Sequence, residues 1–215
     1  MTDQLLAIAT GTLLLTAVLL LWRRTVSGAA VLVGAQGLAL AVLAALTAAT
    51  EGHPELFAGA ALFVVIKALL IPGLIMRTAT DVDAGAEATP VVNPTTGMLL
   101  AAGLTTVAFL VSRPLTGSGG TTLATAVPVG IAVVLIGFLV LATRRQALAQ
   151  IIGFVMVDNG IGATALLASG GTPIVIELGV LLDVLLVVLI LLVLTRRIGA
   201  VFGTTELHEL SELRD

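Results

Sequence analysis

Asp158 stands twelve residues before the glycine turn Gly170-Gly171, and Asp183 stands twelve after it, each inside a long apolar run. If both runs are helices rising 1.5 Å per residue, the two carboxyl groups lie at one level, roughly 15 to 19 Å from the turn. That depth is near the middle of a bilayer. An ionisable group there is costly, and such groups mark ion or proton pathways. A second level pair flanks the turn Glu51-Gly52-His53-Pro54, with Gln36 before it and Lys67 after it. Lys67 is the only lysine and lies too deep for easy snorkelling, so it is expected to face the protein interior near a carboxylate or water. Burial disfavours the charged form of either group, while coupling between opposite charges favours it. Proton transfer is the chemistry this set suggests, with Glu177 as a further member about a turn inside the outer edge.

Other readings of the same residues stay open. Asp158, Asp183 and Lys67 could form a static ionic lock between helices. One interhelical hydrogen bond would account for Gln36, and Glu177 could reach the interface. Asn159 is expected to pack or bond locally, and His53 and His208 to be solvated. Asp158, Gly162 and Ala165 share a helix face, as do Gly179 and Asp183, so small residues would leave room for close helices and water. Pro72 follows Lys67 by five residues and cannot donate to the carbonyl of Ala68, which predicts a kink beside the ammonium. Sodium binding would also use carboxylates, though a lysine among them weakens that option.

The elements that must hold these groups are set by composition. Of 215 residues, 58% are hydrophobic and 11% charged, and the mean hydropathy is +1.17. That places the chain in the all-α integral membrane class. Seven transmembrane helices are expected: Leu5–Trp22, Val26–Ala49, Glu55–Met76, Gly97–Val111, Leu123–Thr143, Leu148–Ala168 and Pro173–Thr195. A net charge of −3 argues against nucleic acid. Without cysteine there is no thiolate metal site or iron–sulfur cluster, and neither histidine has metal-ligand spacing. No nucleophile–base set or phosphate loop is present either, so no catalytic residue, cofactor or metal is expected. The N-terminus lacks a basic stretch, so no cleavable signal peptide is expected.

Arg23-Arg24, Arg77, Arg144-Arg145 and Arg196-Arg197 all follow odd-numbered helices, while the other side carries only Arg113. The positive-inside rule then predicts a multi-pass plasma-membrane protein with its N-terminus outside and its C-terminus in the cytoplasm. Topology and lipid headgroup contact are the expected roles of the arginines. The order helix, basic pair, helix, tight turn, helix occurs twice. Residues 1–77 and 123–198 read as parallel three-helix units joined by residues 78–122, which hold a polar connector and one helix. Residues 199–215 form a tail whose Glu-Leu repeats suit a solvated segment or a short amphipathic helix.

The string from Arg144-Arg145 through Gln150-Ile151-Ile152-Gly153-Phe154 to Val157-Asp158-Asn159-Gly160 resembles the hydrogenase-4 component E family. So do Ile176-Glu177-Leu178-Gly179 with Asp183, and Ile66-Lys67-Ala68-Leu69-Leu70-Ile71-Pro72. The resemblance spans about residues 23–200. It implies a membrane subunit of a formate hydrogenlyase-type, group 4 nickel–iron hydrogenase complex, an oxidoreductase whose catalysis lies in other chains. Its last three helices are similar to the K subunit of complex I and the C subunit of Mrp antiporters. Antiporter-like chains would then be its partners, and Asp158, Asp183 and Lys67 would belong to a lateral proton axis. Relatives commonly carry glutamate where this chain has Asp158, so the shorter arm would need a bridging water. A purely structural subunit, or a subunit of a cation/proton antiporter, are the alternatives.

Overall fold

The computed structural model describes residues 2–52, 56–81, 92–114, 123–169 and 174–202, except for the side chains at 51, 81, 169, 174–180, 183 and 199–202. Every element described is helical. In order they are α1 (Thr2–Trp22), α2 (Val26–Glu51), α3 (Leu56–Leu62), a π-helical segment (Phe63–Leu70), α4 (Ile71–Asp81), α5 (Pro94–Val111), a short 3-10 turn (Ala124–Ala126), α6 (Val127–Thr143), α7 (Ala147–Ser169) and α8 (Ile174–Phe202). Six spans among the described residues are long and apolar enough to cross a membrane: α1, α2, the run Leu56–Thr80, α5, Ala124–Thr143 and α7. Helix α8, 29 residues long, occupies the place of the seventh expected helix and continues to Phe202, beyond Thr195. The turn Gly170-Gly171, His53, the connector 82–91 and the tail from residue 203 lie outside the described residues.

Chain signals account for the helix ends. The Thr25 side chain accepts a hydrogen bond from the Gly28 N–H at 3.3 Å and starts α2. Gly52, at φ 74°, ends it in the left-handed conformation that glycine adopts without strain. Asn93 caps α5, with Pro94 at its first position. Within the spans, hydroxyls are satisfied locally. Thr10, Thr16, Thr47 and Thr164 donate to the carbonyls of Leu6, Thr12, Leu43 and Gly160, so apolar helices carry threonine without an unmet polar group.

Helices α2 and α7 are the most buried spans and pack on each other. Around them, α1 packs on α2 and α6, α6 on α7, the α3–α4 run on α2 and α8, and α5 on α6. The closest approaches are made by glycines. A Cβ at Gly37 would lie 2.6 Å from the Lys67 carbonyl carbon, and one at Gly34 would lie 3.0 Å from the Ala68 oxygen. On the other side, a Cβ at Gly160 would lie 2.7 Å from the Val134 nitrogen, and one at Gly130 would lie 2.8 Å from the Thr164 nitrogen. These contacts involve backbone, which cannot move aside cheaply, so small residues set the helix separation.

The third span departs from the expected kinked α-helix. Its π segment precedes Pro72, and the Ile71 N–H reaches back five residues to the Ile66 carbonyl. Pro72 has no N–H to give Ala68, and the wider turn carries the chain into α4 across that gap. Lys67 sits inside the widened segment.

Gly37→Ala should lower stability by about 1–3 kcal/mol because the methyl meets backbone. Gly11→Ala, where nothing lies within 4 Å, should be neutral or stabilising by up to about 1 kcal/mol. Thermal unfolding of the two purified variants in detergent measures this. Equal shifts in the two would contradict the close-approach account.

Candidate functional site

The polar residues of the interior meet at mid-span. Asp158 is the central residue of α7, Lys67 lies one residue from the centre of Leu56–Thr80, and Gln36 lies near the middle of α2. Lys67 Nζ donates to Asp158 Oδ2 at 2.5 Å. Lys67 is 2% exposed and Asp158 8%. The Phe63 ring, one turn before Lys67, lies 5.4 Å from the ammonium and adds a cation–π contact. Beside the pair Gly162 leaves space, since a Cβ there would stand 3.8 Å from Lys67 Nζ.

A second polar chain runs alongside. Asn159 Nδ2 donates to Gln36 Oε1 at 3.4 Å, and Gln36 Nε2 donates to the Leu13 carbonyl at 3.5 Å. Gln36 and Asn159 are both fully buried. Three helices, α1, α2 and α7, are thus tied at the level of the ion pair. Asn159 Oδ1 is buried without a hydrogen-bond partner among the described residues.

Energetics explain why Lys67 and Asp158 face each other. Each isolated charge at the centre of a membrane helix costs about 3 kcal/mol on insertion scales. Left apart, the two would offset a sizeable part of the 5–15 kcal/mol by which a native protein is stable. Facing inward, each supplies the other's counter-charge. Such a pair is costly to break from one side, because the remaining charge stays buried and unpaired.

Three of the expected site residues, Gln36, Lys67 and Asp158, therefore lie in one interior cluster. Glu177 and Asp183 lie on α8, and their side chains are outside the described residues. The observed partner of Asp158 is Lys67, 91 positions away. Asn159, expected to pack or bond locally, is fully buried and bonds across to Gln36 on α2. Its neighbour Asp158 was the available signal, because adjacent positions on a buried helix can address two different neighbours.

Arg144 also differs from its expected role. It is 5% exposed and turns inward, its Nη2 donating to the carbonyls of Leu21 and Arg23 at 3.2 and 2.9 Å. It thereby satisfies the open end of α1 from the α6–α7 corner. Desolvation lowers its pKa from the ordinary value, but a guanidinium remains protonated. At the same end, Arg196 Nε donates to Thr78 Oγ1 at 3.2 Å and ties α8 to α4.

Fold and site together define a polytopic all-α membrane protein with a buried ion pair at its centre. The chain is 40% identical over 208 residues to the uncharacterized protein Rv0085 of Mycobacterium tuberculosis, covering 96% of this chain and 94% of that protein, and it belongs to that protein's family. It is also 26% identical over 150 residues to hydrogenase-4 component E of Escherichia coli K12, and to the protein of that name in Shigella flexneri. That match covers 70% of this chain and 69% of the relative. No family model matches the sequence, and no solved structure matches it.

Lys67→Met or Asp158→Leu alone should cost about 3–5 kcal/mol, whereas the double replacement should recover most of the loss. A double-mutant cycle on thermal unfolding in detergent measures the coupling. Additive losses would show that the two groups do not depend on each other.

Proposed function

We propose that this chain is a cofactor-free membrane subunit of a hydrogenase-like or complex I-like redox assembly. In this reading it carries protons along a hydrophilic axis at mid-membrane. The observation that carries the proposal is the Lys67–Asp158 pair, held 2.5 Å apart at the centre of the bundle beside the Gln36–Asn159 amides. An ammonium donating to a carboxylate is already arranged for transfer of one proton. Moving that proton neutralises both groups, which a low-dielectric interior tolerates better than separated charges. The likeness to hydrogenase-4 component E supports the choice of assembly. Antiporter-like chains are then the expected neighbours, and Asp183 and Glu177 on α8 would extend the axis.

We also read residues 1–77 and 123–198 as two parallel three-helix units. The packing of α1 on α6, α2 on α7 and the α3–α4 run on α8 supports this, since each helix touches its counterpart. The ion pair then joins the units, with Lys67 from the first and Asp158 from the second. With the arginine-bearing end in the cytoplasm, the N-terminus would lie outside.

In the assembled complex, Asp158→Asn should reduce proton pumping at least ten-fold, while electron transfer to an artificial acceptor changes less than two-fold. Asp158→Glu should retain pumping. Proton uptake into proteoliposomes measured beside acceptor reduction separates the two activities. Undiminished pumping by Asp158→Asn, in a complex of normal yield, would leave the pair a structural lock.

A further inference from the structure

At the corner between α1 and α2, positive charge gathers against the membrane surface. Arg23 and Arg24 are both exposed there. The Arg23 side chain lies over the first turn of α2, where a Cβ at Gly28 would stand 3.4 Å from its Cδ and 3.8 Å from its Nε. The absent side chain of Gly28 makes room for it. A helix N-terminus carries partial positive charge, so this guanidinium rests against a like-signed neighbour. Buried Arg144 adds a third guanidinium from behind, bonded to the Arg23 carbonyl. Among the described residues, no carboxylate lies within ion-pair distance of Arg23. An anion at this corner would relieve the repulsion between the Arg23 guanidinium and the start of α2.

The shape of the corner says which anion. Leu19, Trp22, Arg23, Arg24 and Thr25 line an open surface hollow of about 450 Å³. Trp22 is 62% exposed at the end of α1, the level at which tryptophan meets lipid headgroups. Below it, Leu19, Leu15 and Ile8 continue down one outward face of α1 and are all exposed. Gly11 notches that stripe, with nothing within 4 Å of where its Cβ would be. A charged pocket at the head of an exposed apolar stripe with a notch matches a phosphate esterified to acyl chains better than a free phosphate.

We propose that the α1–α2 corner is a binding site for an anionic phospholipid. The phosphate is held by Arg23, Arg24 and the N-terminus of α2, and an acyl chain lies along Leu19, Leu15 and the Gly11 notch. This goes beyond the general attraction of arginines to a membrane surface, because the site is local and built. It does not depend on the proton-axis reading.

Trp22 is the sole tryptophan, so its fluorescence reports this pocket alone. The full chain, in phosphatidylcholine bilayers, is titrated with brominated phosphatidylglycerol or with brominated phosphatidylcholine as quencher. The glycerol lipid should reach half-quenching at a mole fraction lower by about five-fold for each contributing arginine. Arg23→Gln with Arg24→Gln should abolish the preference, and Arg113→Gln, which follows α5 at the other end of the spans, should leave it intact. Millimolar inorganic phosphate should not disturb it. Equal quenching of wild type by both lipids would overturn the proposal, as would a preference lost equally in Arg113→Gln. Displacement of the lipid by inorganic phosphate would assign the corner to a soluble anion and overturn it too.

Discussion

An ammonium and a carboxylate sharing one hydrogen bond at the centre of an apolar bundle constrain almost everything around them. Neither Lys67 nor Asp158 can face hydrocarbon as an isolated charge without a cost comparable to much of the fold's stability. They must therefore meet inside the protein, and the helices that carry them must come close enough for one side chain to span the gap. Gly37 and Gly34 let α2 lie directly on the Lys67–Ala68 backbone. Gly130 and Gly160 draw α6 against α7, which presents Asp158. The π segment around Lys67 sets the direction in which the lysine leaves its helix.

Around this pair the polar groups divide into two kinds. The hydroxyls of Thr10, Thr16 and Thr164 bond back into their own helices and ask nothing of their neighbours. Gln36, Asn159 and Arg144 instead cross between helices: Gln36 to the Leu13 carbonyl, Asn159 to the Gln36 side-chain oxygen, and Arg144 to the open end of α1. The bundle is thus tied at two heights, by amides and the ion pair at mid-span and by Arg144 and Arg196 at one end. In a membrane, where apolar burial hardly distinguishes protein from lipid, such crossings and close glycine contacts carry much of the specificity.

Much of this architecture can be read from the chain because hydrocarbon imposes simple rules. Run length gives the spans, and counting from the turns gives the depth of Gln36, Lys67 and Asp158. Depth, however, says nothing about azimuth. That Lys67 faces Asp158 depends on how α2 and α7 cross and on the register of the third span, which no local pattern encodes. Pro72 signalled a disturbance, yet its consequence was eight residues of π-helix rather than a simple kink. Asn159 escaped for a similar reason, since an asparagine beside an aspartate looks local until α2 is seen to supply Gln36. Arg144 looked like any interfacial arginine, and only the packing of α6 against α1 turns it inward.

The proposed relay requires that Asp158 gain and lose a proton while the complex turns over, whereas a structural lock keeps it ionised throughout. Infrared difference spectroscopy of the working complex reads that distinction directly through the carboxylic acid C=O stretch. The relay account predicts a band that appears during turnover, shifts in Asp158→Glu and is missing in Asp158→Asn. A spectrum with no carboxylic acid signal attributable to Asp158, in a complex that still pumps, would contradict it.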